Sequence, residues 1–189
     1  GCIGCPQAGQ WPIDTRFDTA WLNLMLRRRL HAMESVHLVT PSHWMAAEAR
    51  AARVAKPVHV IPNGIPAEPY LSRDRAEARS RLDIDPDKTV LVFSAGHMSD
   101  ERKNVRDAIE AVRKAGLPVS VILLGRVNDE VRSAFADIDL ITPGYVSDRS
   151  VLADYLAAAD AFLFTALAEN HPLAVLEAMA AGTCVVGYD

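Results

Sequence analysis

Cysteine is scarce here, with Cys2, Cys5 and Cys184 the only three in 189 residues. That excludes a small scaffold held by disulfides, and with nothing at the start that reads as a secretory leader the thiols are expected to be reduced. Cys2 and Cys5 form one C-x-x-C, half of a zinc site or a redox pair, but no second pair follows. Cys184 lies inside an apolar run and is expected to pack as a small hydrophobe. Long hydrophobic stretches are also missing, since no run approaches the ~18 apolar residues of a membrane span. The expected compartment is therefore the cytoplasm. A basic excess is absent too: 20 Lys and Arg against 24 Asp and Glu leave a charge of −4, which argues against a general nucleic-acid binder. Aromatics are 6% of a chain that is 50% hydrophobic, so the core must be built from Ala, Val and Leu, as in an α/β protein. No internal repeat or low-complexity segment appears.

What is present is regular alternation. Asp18 or Thr19 can cap a helix running to about His31, with Trp21, Leu22, Met25, Leu26 and Leu30 as its apolar side. VHLVT (36–40) reads as a strand, Ser42 as the cap of the next helix, and VHVIP (58–62) as another strand before the Asn63-Gly64 turn. A boundary is placed near 62, giving regions 1–62 and 63–189. Beyond it the pattern predicts helix 73–82, strand 89–95, helix 104–115, strand 119–125, helix 129–135, strand 140–146, helix 148–158, strand 161–166, helix 172–181 and strand 183–188. Short connections between alternating strands and helices imply a parallel, doubly wound, Rossmann-like sheet. Gly1 and Asp189 at the ends suggest a fragment cut on both sides.

Within this pattern Glu169 and Glu177 bracket ENHPLAVLE, between the runs AFLFTAL (161–167) and TCVVGYD (183–189). Glu169 falls in the loop after a strand. Pro172 reads as the first helical residue, because its missing N–H is one that a helix start leaves unpaired. Glu177 then sits in the second turn. Two acids so placed can hold hydroxyls at two points of one elongated ligand, with the N–H groups of Leu173 and Ala174 facing an anion between them.

This neighbourhood resembles the family-four retaining glycosyltransferases, whose donor site carries Glu, seven residues, Glu, and then an Ala-Met-Ala-x-Gly run, here EAMAAGTCVV (177–186). VTPSHW (39–44), VIPNGI (60–65) and SAGHMSDERKNV (94–105) agree in order, and GCPQ (4–7) with WPIDT (11–15) is similar to a bacterial subgroup of cell-wall or capsule synthesis. The resemblance implies two Rossmann-like domains in the GT-B arrangement, with 1–62 the end of the acceptor-side domain and 63–189 the donor domain. It implies transfer of a sugar, with retention, from a UDP-, GDP- or ADP-linked donor to a saccharide or lipid-linked acceptor in cell-surface polysaccharide synthesis.

The resemblance also implies residue roles. Lys103 would be the cation on the donor diphosphate with Arg102 beside it, Glu169 would face the transferred sugar, and Glu177 the ribose hydroxyls. Asn170, His171, Pro172, Leu173 and Ala174 complete the donor loop. Gly96 would allow close backbone approach to a phosphate. His97 stands where many relatives have Arg, a departure that touches one phosphate contact. Gly125 with Arg126, and Tyr145 with Val146, end strands where relatives hold the base. Asp83-Ile84-Asp85 and Asp137-Ile138-Asp139 are D-x-D strings, but both read as solvated turns, so no metal and no cofactor is expected; Lys, Arg and helix N-termini can neutralise a leaving diphosphate. His31, His37, His43 and His59 show no metal spacing. Arg27, Arg28 and Arg29 form a basic trio that either touches an anionic lipid surface at the inner face of the membrane or is a solvated helix end. Two rival readings remain: a nucleotide-sugar epimerase, and a non-catalytic nucleotide-sugar binding fragment.

Overall fold

In the computed structural model, residues 20–52 and 56–188 are described. The chain divides into two compact units, Gly1–Asn63 and Gly64–Asp189.

The first unit contains α1 (Ala20–Ala32), β1 (Leu38–Thr40), α2 (His43–Ala51) and β2 (Val58–Val60), the two strands pairing in parallel. Ser42 caps α2, its hydroxyl accepting the Met45 N–H at 3.1 Å. The apolar side expected for α1 exists but is open: Trp21, Leu22, Met25, Leu26 and Leu30 are 43–54% exposed. Periodicity identifies an apolar face, and only a neighbouring element can bury it. The caps Asp18 and Thr19, and the Cys2-Cys5 pair, lie outside the described residues.

The second unit opens with α3 (Glu68–Leu71) and α4 (Arg75–Arg81), where a single helix over 73–82 was expected. Asp74 separates them as the cap of α4, accepting the Glu77 N–H at 3.0 Å. Then follow β3 (Thr89–His97), a 3₁₀ turn (Glu101–Lys103), α5 (Val105–Ala115), β4 (Val119–Arg126), α6 (Asp129–Ala134), β5 (Asp139–Gly144), α7 (Arg149–Ala158), β6 (Ala161–Phe164), α8 (Leu173–Ala180) and β7 (Cys184–Gly187). All five strands are parallel, in the order β5-β4-β3-β6-β7. The doubly wound sheet inferred from alternation is the one observed.

Both faces of the sheet are covered, so successive strand residues enter different cores. Val90 and Val92 of β3, with Ile122 of β4 and Phe162 of β6, join Tyr70 and Leu156 on one side. Phe93, Val121 and Leu123 join Met98, Ile109 and Phe135 on the other.

Several local expectations are corrected. β5 starts at Asp139, which is thus a strand residue rather than part of a turn, and stops at Gly144, whose φ of +81° redirects the chain before Tyr145. Cys184 is exposed on the edge strand β7 instead of packed. Pro172 is the residue before α8, in extended conformation (φ −69°, ψ 122°), so helix geometry begins only at Leu173.

Candidate functional site

The strand order places the site. From β3 the chain steps outward to β4 and β5, and α7 then carries it back across to β6 on the other flank of β3. Loops leaving β3 and β6 therefore diverge from adjacent strands at the point where the order reverses, and the crevice outside the carboxyl ends at such a point is where open α/β sheets bind ligands. Lys103 lies on the β3 side and Glu169 on the β6 side.

These loops are tied together. Thr165, directly after β6 and 7% exposed, places its hydroxyl 2.9 Å from the Asn104 carbonyl oxygen and 3.2 Å from that of Lys103, sharing one proton between them. The Leu167 N–H donates to the Arg102 carbonyl at 2.8 Å. Asn104 adopts the left-handed region (φ 53°, ψ 51°), which lets α5 follow the 3₁₀ turn directly; Asn tolerates this conformation better than most residues. Lys103 Nζ is thereby held in an ion pair with Glu169 Oε1. The two side chains are 25% and 26% exposed, so both reach solvent or a ligand.

Arg102 does not flank Lys103 as an independent cation. Its Nε and Nη2 donate to the two Asp100 carboxylate oxygens at 3.2 and 2.8 Å, and this bonding holds the Asp100 carboxyl below its ordinary range. His97 lies beside Arg126, with Nε2 and Nη1 3.3 Å apart.

Glu177, half-buried on α8, accepts a hydrogen bond from the Tyr70 hydroxyl at 3.1 Å. Burial pushes its carboxyl above the ordinary range, while the Tyr70 bond and the Arg149 charge act in the opposite direction. The Tyr70 phenol is pushed up to about 12, by burial first and then by the Glu177 carboxylate. No side chain caps α8, and the Leu173 and Ala174 N–H groups occupy its first turn, where a helix leaves donors without intrahelical acceptors.

The glycines have separate roles. A Cβ on Gly125 would lie 1.7 Å from the Ala95 carbonyl oxygen, and its φ is +139°, so close packing of β4 on β3 requires glycine there. A Cβ on Gly96 would meet nothing within 4 Å, which leaves open space at the end of β3. Tyr145 is 67% exposed; His171 and Pro172 are partly buried and Asn170 adjoins them. An open groove of about 680 Å³ beside these loops is lined by Met98, Asp100, Asn104, Arg106, Asp107 and Leu167.

Asp137 is engaged by Arg113 at 2.6 Å, and Asp139 by Lys88 and Ser120, each at 2.6 Å. Asp85 accepts the Asp87 N–H at 2.9 Å. The first string thus makes a local turn contact, and the second is tied to residues distant in the chain. Among the described residues no group of three or more His, Cys, Asp or Glu side chains is arranged to hold a metal.

Residues 88–189 match the family described as glycosyl transferases group 1. The chain belongs to that family. As a group 1 chain it is 32% identical over 146 residues to the α-maltose-1-phosphate synthase of Mycobacterium tuberculosis, covering 70% of this chain and 37% of that protein. It is 31% identical over 132 residues to a GDP-mannose-dependent α-(1-6)-phosphatidylinositol dimannoside mannosyltransferase of the same organism, covering 67% and 34%. The chain thus spans a little over one third of the curated relatives it matches. In structure it is similar to sucrose-phosphate synthase from Thermosynechococcus elongatus, with a TM-score of 0.73 at 21% identity over 92% of this chain and 46% of that one. That likeness shows the fold, the GT-B carboxyl-terminal architecture.

Sequence reasoning missed Tyr70, Thr165, Asp100 and Arg149. Tyr70 is one aromatic in a proline-punctuated segment, and Thr165 one hydroxyl in an apolar run. Neither carries a local signal, because each works through a partner distant in sequence.

Proposed function

We propose that this group 1 chain supplies the donor side of a retaining glycosyltransferase that takes a nucleotide sugar and passes the sugar to a saccharide or lipid-linked acceptor in cell-surface polysaccharide synthesis. The observation that most supports this reading is the Lys103–Glu169 pair at the reversal point of the sheet. It sets a cation and a carboxylate side by side where a diphosphate and the sugar it carries would lie.

In this reading Lys103 and the first-turn N–H groups of α8 neutralise the leaving diphosphate, where charge develops during transfer. Glu177 accepts from the ribose hydroxyls. Glu169 faces the sugar and favours a transition state with positive charge at the anomeric carbon. The acceptor hydroxyl attacks on the face that the diphosphate leaves: its oxygen forms the new glycosidic bond, the old C–O bond breaks, and a phosphate oxygen takes the proton. No divalent ion is required. The relative named as GDP-mannose-dependent supports a nucleotide-sugar donor, and the exposed Arg27, Arg28 and Arg29 of α1 suit an anionic lipid surface carrying the acceptor.

Calorimetric titration with UDP, GDP and ADP tests the site, comparing wild type with Glu177→Ala and repeating the tightest case with EDTA. Saturable binding of one nucleotide, weakened in the variant and indifferent to chelator, is expected. Equal binding by the variant would remove Glu177 from the site, and loss with EDTA would require a metal.

A further inference from the structure

Tyr70 is 1% exposed and among the largest fully buried side chains of the protein. It sits on α3, a helix of only four residues, and its ring packs in the same core as Val90, Leu156 and Phe162. Phenylalanine would fill that volume with no polar atom to satisfy. The hydroxyl is therefore not needed for packing, and a buried hydroxyl has to find a partner. Its partner is Glu177 Oε1, 3.1 Å away and 107 residues later in the chain.

We propose that Tyr70 is a positioning residue for Glu177, its phenol holding one carboxylate oxygen so that the second is presented, ionised, to a ribose hydroxyl of the donor. This rests on the reading of Glu177 as the ribose acceptor. A part-buried carboxylate on a helix otherwise has several rotamers and a preference for the neutral form. A neutral carboxyl can donate where the ribose needs an acceptor. The Tyr70 bond favours the charged form and one orientation together. That agrees with the balance at Glu177, where burial raises the carboxyl and the Tyr70 bond lowers it.

Few other charges face Glu177. Of the elements packed on α8, α3 brings Tyr70 and the exposed Glu68, and α7 brings Arg149, whose charge also favours the carboxylate. Further along α7 lie Tyr155 and Asp154, and Asp154 is taken up by Arg73 and Arg81 at 3.1 and 2.8 Å. β6 carries no titratable side chain, and β7 carries only Cys184.

The test uses the chain with UDP-glucose, ADP-glucose and GDP-mannose, keeping whichever binds tightest, in a double-mutant cycle of Tyr70→Phe and Glu177→Gln. Tyr70→Phe is expected to weaken binding about tenfold in the wild-type background and by less than about twofold when Glu177 is already Gln. A merely structural tyrosine would cost the same in both backgrounds. In parallel, the ¹³C carboxyl resonance of Glu177, assigned by its loss in Glu177→Gln, is titrated without ligand, and its midpoint is expected to move to higher pH in Tyr70→Phe. Fluorotyrosine incorporated at Tyr70, a stronger donor that keeps the ring, is expected to move it to lower pH; this second variant serves if Tyr70→Phe does not fold. Equal losses in both backgrounds, or a midpoint indifferent to both replacements, overturn the positioning role while leaving Glu177 in the site. Wild-type affinity in Glu177→Gln, or no binding of any donor, overturns the ribose reading and the positioning role with it.

Discussion

Lys103 and Glu169 are 66 residues apart in the chain and joined as an ion pair between loops leaving adjacent strands. Without ligand, each is the other's counter-charge. A diphosphate entering the crevice has to share Lys103 with Glu169 or displace it.

That competition predicts opposite effects of the two substitutions. Lys103→Ala should weaken nucleoside diphosphate binding about tenfold, the scale of a hydrogen bond to a charged group. Glu169→Gln should strengthen diphosphate binding by up to about fivefold, the scale of a partly exposed ion pair, while weakening the nucleotide sugar. Calorimetry with both ligands decides it; a parallel fall in both ligands for Glu169→Gln would contradict the competition.

Thr165→Val keeps shape and removes the proton shared by the Lys103 and Asn104 carbonyls. The Asn104 carbonyl keeps the Asp107 N–H at 3.2 Å, so the loss falls on the Lys103 carbonyl and should cost about 1 kcal/mol in urea unfolding. It should also reduce the affinity gain of a nucleoside diphosphate over its monophosphate, since the turn carrying Lys103 is loosened. An unchanged gain would show that the turn holds itself.

Gly125→Ala and Gly96→Ala should separate folding from binding. The first drives a Cβ into the Ala95 carbonyl at a backbone angle that disfavours side chains, and should lose about 3 kcal/mol or more of stability. The second enters open space and should leave the melting temperature within a few degrees while weakening nucleotide binding. Melting curves and calorimetry of both variants check the contrast.

Glu177 gives a pH dependence whose sign can be worked out. Its folded carboxyl is raised by burial, so the folded state holds more protons than the unfolded state between the two values. Its contribution to stability is complete below the ordinary glutamate range and is lost as pH rises through the folded value. Glu177→Gln should therefore melt higher than wild type at neutral pH, and the gap should close in acid. Asp100, lowered by its Arg102 hydrogen bond, acts in the opposite direction: its contribution is present above the ordinary aspartate range and lost as pH falls through the folded value.

Arg79 is 6% exposed and donates to Ala158 O at 2.9 Å, to Pro86 O at 2.7 Å and to Asp160 Oδ2 at 2.9 Å. Asp160→Ala should cost about 3–5 kcal/mol, because removing one partner leaves a buried charge uncompensated. Urea unfolding of this variant beside Arg75→Ala, which removes only the exposed partner of Asp160, measures the difference.

The alternation of apolar strands and helices was legible because each kind of element repeats its apolar residues at its own period. So were the cap at Ser42 and the placing of Glu169 in a loop and Glu177 on a helix. Element ends were less legible. β6 stops at Phe164 while Thr165 turns to bind carbonyls of a distant loop, and nothing local to 161–166 signals that.

The sequence by itself determined most of the strands and helices, though not the short α3, that the sheet is parallel, and which acids and cations lie in its loops, since these follow from local periodicity and connection length. Tertiary structure alone decided that Lys103 meets Glu169, that Tyr70 meets Glu177, that Arg102 turns to Asp100, and that the α1 face and Cys184 are exposed. Strand order and burial arise from contacts between residues far apart in the chain, and no local pattern encodes which of many compatible partners a side chain will meet.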